Sequence, residues 1–320
     1  TWKDGSYFSS GWGCGMDNMP RLRGNDDKWF SHNHMTWCDT CMQQLLNCRI
    51  LIKIAAILKR DDIDDIIEEQ HKLSLWVNEN LWDNATKYYY DLWNNGELNM
   101  IKSVGAYWAL LAETVPQERK NDFIRHLNST DEFMRPNCMP TLSADCKYYS
   151  KRGNYWCGSV WAPTNYMVLK GLEICGEHDL AYTIAERAVG NAVKVFENTG
   201  TLWENYSPET AEPGEQAKSD FVGWSGNFPI SMLIEFLFGI TYDAENNEIT
   251  WRINMTDRFG IKRYPVKNGE VDLICGEREN ISQIPEIFVS ADTNVRLKII
   301  FHDRVIHKEI TPGGANVQIQ

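Results

Sequence analysis

Two short segments of this chain each place a carboxylate in an aromatic, turn-rich setting. In GWGCGMDNMPR, residues 11–21, the glycines before Met16 and the proline after Met19 impose a backbone path that no regular helix follows, so Asp17 is presented on a shaped loop. Arg21 can supply a rigid fork of donors close by. In TLWENYSPE, residues 201–209, Glu204 stands between Trp203 and Asn205-Tyr206, ahead of a Ser-Pro turn. A Glu among aromatic rings suggests a carboxylate tuned by its surroundings. Two carboxylates brought from distant loops into one cleft are what glycoside hydrolysis requires: one protonates the leaving oxygen, the other activates water or attacks the sugar. Each segment taken alone has a plainer reading. Asp beside Asn commonly caps its own turn, and a surface Glu can be flanked by core aromatics.

Two further segments share this character. SDFVGWSGNFPI joins a Gly-Trp-Ser-Gly turn to an apolar run, and NYWCGSVWAPTNY places Trp156 and Trp161 just before another. Rings set among Gly, Asn and Pro can serve as sugar platforms, although large proteins also use Trp to fill gaps at helix ends. The loops together point to one aromatic rim.

Helices are expected to position these loops. Residues 1–34 hold no sustained period and read as a long ordered loop, a kind usually functional. A helix follows from Thr36 to about Leu58, apolar all round in its second half and therefore expected to be buried and inner. Asp61 to about Asn78 is amphipathic and outer. Ile101–Ala112 is apolar, and Pro116–Leu127 has Pro at a plausible first helical position. Pro163–Cys175 ends at Gly176, His178–Asn198 is amphipathic, and Pro229–Phe238 is apolar almost throughout. These alternating inner and outer helices, about seven, suggest a helical toroid whose loops at one end build the site. After residue 240 the period changes to short alternating runs at 248–253, 259–266, 271–275, 286–289, 295–301, 305–310 and 317–319. They read as a small antiparallel β domain, sandwich-like, over residues 241–320.

Composition narrows the partners. The 320 residues carry a net charge of -12, and no basic run appears, which argues against nucleic acid or an anionic membrane surface. The expected partner is a small neutral carbohydrate. No apolar stretch is expected to reach the ~18 to 20 residues that span a bilayer, and no signal-like segment opens the sequence, so localisation is unread. The nine Cys, an odd number, fit a reducing compartment better than a disulfide scaffold. Sequon triplets at Asn84, Asn128, Asn205, Asn254 and Asn280 stand against that. CDTC at Cys38–Cys41, near His32 and His34, lacks a second ligand pair and reads as buried helical Cys. No metal and no cofactor are expected, since HExxH, GxSxG and phosphate-cradling glycine patterns are missing.

Taken in order, GWGCGMDNMPR, YWCGSVWAPTNYMVLKGL, GTLWENYSPE and DFVGWSGNFPISMLIE resemble the catalytic domain of glycoside hydrolase family 63, the group of processing α-glucosidase and mannosylglycerate hydrolase, more distantly similar to trehalase. The resemblance covers roughly residues 7–240. It implies a mainly α fold, an (α/α)6 barrel in residues 1–240, and hydrolysis of an α-glycosidic bond with inversion. Asp17 matches the general acid and Glu204 the general base. Trp12, Arg21, Trp161, Tyr206 and Trp224 fall at positions that line the sugar subsite in such enzymes, and Asn18 is counted with them. Cys157 stands where relatives commonly have Arg, and Cys146 where they often have His, so an altered subsite is expected. Family barrels have helices ahead of the acid loop, whereas Asp17 lies near the start here. A barrel lacking its first helices is therefore expected, with self-association or an upstream chain completing it. The reading from another class is a truncated, catalytically weak carbohydrate-binding or scaffold homologue.

Overall fold

The structure is a computed structural model that describes residues 1–22 and 30–317. Residues 23–29, within the expected N-terminal loop, and residues 318–320, at the end of the last expected strand, lie outside the described residues. Two compact units divide the chain, Thr1–Phe228 and Pro229–Gln320. The first is mainly helical and the second is built on β-sheets. The division falls ahead of the boundary expected after residue 240, because Ile234 and Phe238 of the apolar ISMLIEFLF run pack against the core of the β unit.

In the helical unit the long helices arise where expected. Cys38–Leu58 and Asp64–Asn80 form an antiparallel neighbour pair. Ala162–Cys175 carries Pro163 in its first turn and stops at Gly176, whose φ of 82° is the left-handed conformation that glycine adopts at no steric cost. His178–Thr199 stops in the same way at Gly200, φ 73°. Elsewhere the structure departs from the sequence reading. The run around 101–112 is only a 3-10 turn, Val104–Tyr107, that continues into the single helical turn Trp108–Leu111. Pro116 lies just outside the helix Gln117–Ile124, in extended backbone. The last helix starts early, at Gly223, keeps Pro229 inside Gly223–Met232 and continues as a π-helical turn, Leu233–Leu237. Short strands that periodicity could not mark, Met35–Thr36, Asp91–Trp93 and Leu98–Asn99, make a three-stranded sheet beside the acid loop.

The helix Cys38–Leu58 is the main correction to the packing. Cys41, Leu45, Cys48 and Ala55 are buried on one side, whereas Ile50, Ile54, Ile57 and Leu58 are exposed on the other. An all-round apolar segment was expected to be enclosed. Here one face packs against Asp64–Asn80 and Trp108–Leu111, and the opposite face meets no cover among the described residues. By length and composition alone this helix could cross a membrane. This corrects the expectation that no apolar stretch is long enough: Arg49 and Lys53 break the run in sequence, but the apolar residues around them keep its mean hydropathy high.

The β unit holds two four-stranded sheets. Phe259–Val266, Gly269–Cys275, Ile287–Ala291 and Gly313–Val317 form an antiparallel sheet. Ile240–Asp243, Glu248–Arg252, Val295–Phe301 and Arg304–Ile310 form the other, in which Glu248–Arg252 and Val295–Phe301 run parallel. The expectation of a wholly antiparallel unit is corrected on that pair. Alternation decides the core: Val295, Leu297, Ile299 and Phe301 point inward to meet Val271, Leu273 and Cys275 of the facing sheet, with Trp251 among them.

Candidate active site

The acid loop begins with a helical turn, Gly11–Cys14, capped by the Ser10 hydroxyl and ended by Gly15 at φ 74°. Met16 and Met19 are buried on either side of Asp17 and act as apolar anchors, which leaves the Asp17 side chain half-buried at the loop's tip. Burial pushes the Asp17 carboxyl above its ordinary range. A carboxylic acid that keeps its proton to higher pH is suited to donating one.

Asn18 ties this loop to the segment 154–157. Its amide nitrogen donates to the Asn154 carbonyl at 3.1 Å, and its amide oxygen accepts from the Trp156 N–H at 2.7 Å. The Cys157 thiol donates to the Asn18 carbonyl at 3.2 Å. Cys157 is thus buried against the backbone of the loop that carries Asp17.

The same segment reaches the base loop. Asn154 accepts from the Gln216 side chain at 3.2 Å, and the Glu215 N–H donates to the Arg152 carbonyl at 3.2 Å. Glu204 itself is 5% exposed. Its N–H donates to the Lys218 carbonyl, and its carbonyl accepts from the Trp224 indole at 2.8 Å. Gly214 lies so close that a Cβ there would sit 1.9 Å from the Asn205 side chain, so only glycine lets this return strand approach. Farther along, Arg135 grips Glu209 with two parallel bonds of 2.8 and 3.0 Å, and Tyr149 adds a third at 2.8 Å. Burial opposes ionisation of Glu209, but the bonds from Arg135 and Tyr149 outweigh it and hold the carboxyl below its ordinary range.

Between the two loops stands Tyr155, in the left-handed region at φ 55°. Burial pushes its phenol up, and then Glu204 and Asp17 push it further in the same direction. The Tyr155 ring meets Trp161 edge-on at 4.9 Å, Trp161 stacks on Trp156 at 4.0 Å, and Trp161 lies 5.8 Å from Trp224. The expected aromatic rim exists and includes Tyr155, which the search for Trp passed over although it lies in the NYWCGSVW segment.

Other expected site residues have different surroundings. Trp12 is 62% exposed and pairs with the Phe30 ring at 5.4 Å. Trp224 keeps part of its ring open, whereas Trp161 is buried behind Trp156 with its indole N–H on the Tyr155 carbonyl. Tyr206 is a correction: its ring packs into a small core with Val160, Ala192 and Val195, so it is no surface for a sugar. Arg21 is the second. It is wholly buried, with Nη2 2.7 Å from Asp39 and Nη1 3.3 Å from Asp91, and its guanidinium lies 4.3 Å from the Trp37 ring. Burial works against its charge, but the two carboxylates outweigh this and keep it protonated. Cys38, Asp39 and Asp91 do bring three ligand-type atoms within 4.8 Å of one another. The cation beside those carboxylates is Arg21. The CDTC cysteines are buried and unlinked, as helical Cys.

The comparisons agree with this architecture. Residues 1–225 match the family described as the mannosylglycerate hydrolase MGH1-like glycoside hydrolase domain. An uncharacterized protein of Borreliella burgdorferi is 27% identical over 246 residues, 73% of this chain and 52% of that protein. A probable mannosyl-oligosaccharide glucosidase of Schizosaccharomyces pombe is 33% identical over 117 residues, 33% of this chain and 14% of that protein. The chain thus spans about half the length of the first relative and less of the second. Among solved structures, the family 63 mannosylglycerate hydrolase of Thermus thermophilus in complex with glucose superposes with a TM-score of 0.56 at 22% identity, covering 70% of this chain and 60% of that one.

Proposed function

We propose that this chain, which belongs to the mannosylglycerate hydrolase MGH1-like glycoside hydrolase family, cleaves an α-glycosidic bond with inversion, using Asp17 as general acid and Glu204 as general base. The carboxyl of Asp17 gives its proton to the glycosidic oxygen as the bond to the anomeric carbon breaks. Glu204 takes a proton from a water that attacks the same carbon from the opposite face. The leaving alcohol departs neutral and the new hydroxyl has inverted configuration. Inversion requires the two carboxyl groups to stand ~6.5 to 9.5 Å apart so that a water fits.

The observation that carries this reading is the path that joins the two loops: Asn18 beside Asp17 bonds to Asn154 and Trp156, Trp156 stacks on Trp161, and Trp224, 5.8 Å from Trp161, donates to the Glu204 carbonyl. The half-buried setting of Asp17 suits an acid, and the exposed rings of Trp224 and Trp12 offer apolar faces to a sugar. The named relatives act on glucosyl or mannosyl compounds, so a small glucoside or mannoside conjugate is the substrate class. We read the helical unit as part of an (α/α)6 toroid, and the open face of Cys38–Leu58 as the surface that self-association or an upstream chain would cover.

A panel of α-glucosides and α-mannosides with alkyl, glycerate and sugar aglycones tests this, with proton NMR of the first-formed anomer. Turnover that yields the β-anomer, abolished in Asp17→Asn and Glu204→Gln, is the expected result. Retention of configuration, or full turnover in both variants, overturns the mechanism. Sugar binding without turnover of any glycoside would favour the carbohydrate-binding reading instead.

A further inference from the structure

The loop that carries Asp17 is gripped on its C-terminal side by charges that never meet solvent and packed on its other side through Met16. Four residues after the acid, Arg21 reaches down to Asp39, in the first turn of Cys38–Leu58, and to Asp91, at the start of Asp91–Trp93. Each carboxylate is itself anchored. Asp39 accepts from the Thr40 N–H at 2.9 Å, and Asp91 accepts from the Cys38 N–H at 2.9 Å, one of the unpaired donors at that helix's N-terminus. The Arg21 carbonyl accepts from Asn99 at 3.2 Å. On the other side of the acid, Met16 and Asp39 crowd the same spot: a Cβ on Gly105 would lie 3.0 Å from Met16 Cε and 3.2 Å from Asp39 Oδ2.

Burying one guanidinium with two carboxylates is expensive, and an apolar cluster of the same volume is often as stable or more so. What the charged cluster adds is direction. An apolar side chain slides over its neighbours, whereas a guanidinium shared between two anchored carboxylates has one position. We propose that Asp39 and Asp91 are positioning residues for the acid: acting through Arg21, they hold the Asp17 loop where its carboxyl stays desolvated and faces the base. The proposal rests on the reading of Asp17 as general acid. If the loop swings out, water reaches the carboxyl, which then ionises in the ordinary carboxylate range and has no proton to give. Besides Glu204 and Tyr155, the charged or titratable groups beside this loop and its anchor are Cys14, Arg21, Cys38, Asp39, Asp91 and Cys157.

The test compares two leaving groups in Asp91→Asn. An alkyl or sugar leaving group needs the proton, whereas fluoride from an α-glycosyl fluoride does not. Turnover of the alkyl glycoside falls at least about tenfold while that of the fluoride stays within about twofold, given the ~10² to 10⁴ that general acid catalysis supplies. The basic limb of the pH profile moves to lower pH and the acidic limb stays in place. An equal loss on both substrates with neither limb moved would mean a merely structural cluster and overturn the proposal. Should Asp91→Asn not fold, Asp39→Glu keeps the charge, displaces the guanidinium by one methylene and reads the same ratio. Hydrogen exchange provides an independent readout: in either variant, amides 13–22 exchange faster and amides 203–209 are unchanged. If the parent chain hydrolyses no glycoside at all, the catalytic reading fails, and exchange that is unaltered or raised uniformly then sinks the latch as well.

Discussion

Asp17 and Glu204 are carried on loops of opposite construction. Below the acid loop the charged contacts are wholly buried, while the Asp17 carboxyl itself is half-open to solvent. Around the base loop the order is reversed: Glu204 is enclosed, and its charged clamp, Arg135 with Glu209, is partly exposed. The acid loop depends on one deep anchor. The Glu204 loop is held by many backbone bonds, to Lys218, Val160, Glu212, Gly214 and Phe221, so its side-chain clamp has less to do. A proton donor needs a tuned environment at one atom, and a buried ion cluster can set it. If Glu204 is the base that aims a water, it needs a rigid segment, and these backbone bonds provide that.

The largest expected effect separates the two carboxylates. Asp17→Asn should lower kcat on alkyl glycosides by about 10³ yet spare glycosyl fluorides, whereas Glu204→Gln should lower both by a similar factor. Parallel losses on both substrates would erase the assignment of roles.

The anchors should differ next. Arg21→Met strands two carboxylates in the interior and should cost about 3–5 kcal/mol of stability in urea unfolding. Arg135→Met removes a partly exposed pair and should cost about 1 kcal/mol. Equal costs would mean that the two clamps are equivalent.

Acid should then act on them in opposite directions. Burial raises the Asp91 carboxyl, with Arg21 opposing. A raised folded pKa means stability that is fully present below the unfolded value, about 3.9, and lost as pH rises through the folded one. The cost of Asp91→Asn should therefore shrink as pH rises. Glu209 is depressed, so its contribution is present above about 4.3 and disappears as pH falls through its folded value. The cost of Glu209→Gln should vanish in acid. Melting temperatures of both variants between pH 3 and 7 check the two signs.

In catalysis, the raised Asp17 carboxyl places the basic limb of kcat/KM above the ordinary range of an Asp near 3.9. A basic limb at or below that range would remove the case for Asp17 as acid. The smallest effect belongs to Cys157→Ser, which keeps a donor to the Asn18 carbonyl at 3.2 Å and should change kcat by less than about twofold.

Much of this was legible in the chain because it is local. Gly176 and Gly200 stop helices through a backbone conformation that the neighbouring residues do not alter. Strict alternation placed Val295, Leu297, Ile299 and Phe301 on one face before any partner was known. The four Gly- and Trp-rich segments in order marked the rim and both carboxylates. Tyr155 was not legible as a site residue, since a Tyr beside two Trp carries no mark of which ring faces the cleft. Tyr206 shows the reverse, a motif residue whose ring turns into the core.

What the sequence determined by itself is most of the set of elements, because helix stops, strand periods and turn chemistry act over a few residues. Only the tertiary structure decided what each long side chain meets. Arg21 reads the same in the chain whether its fork awaits a sugar or two buried aspartates; its partners lie 18 and 70 residues away, and desolvation together with opposite charge settles the choice. The exposed side of Cys38–Leu58 was decided in the same way. Hydrophobicity says that a face seeks burial, and packing alone says which faces find it.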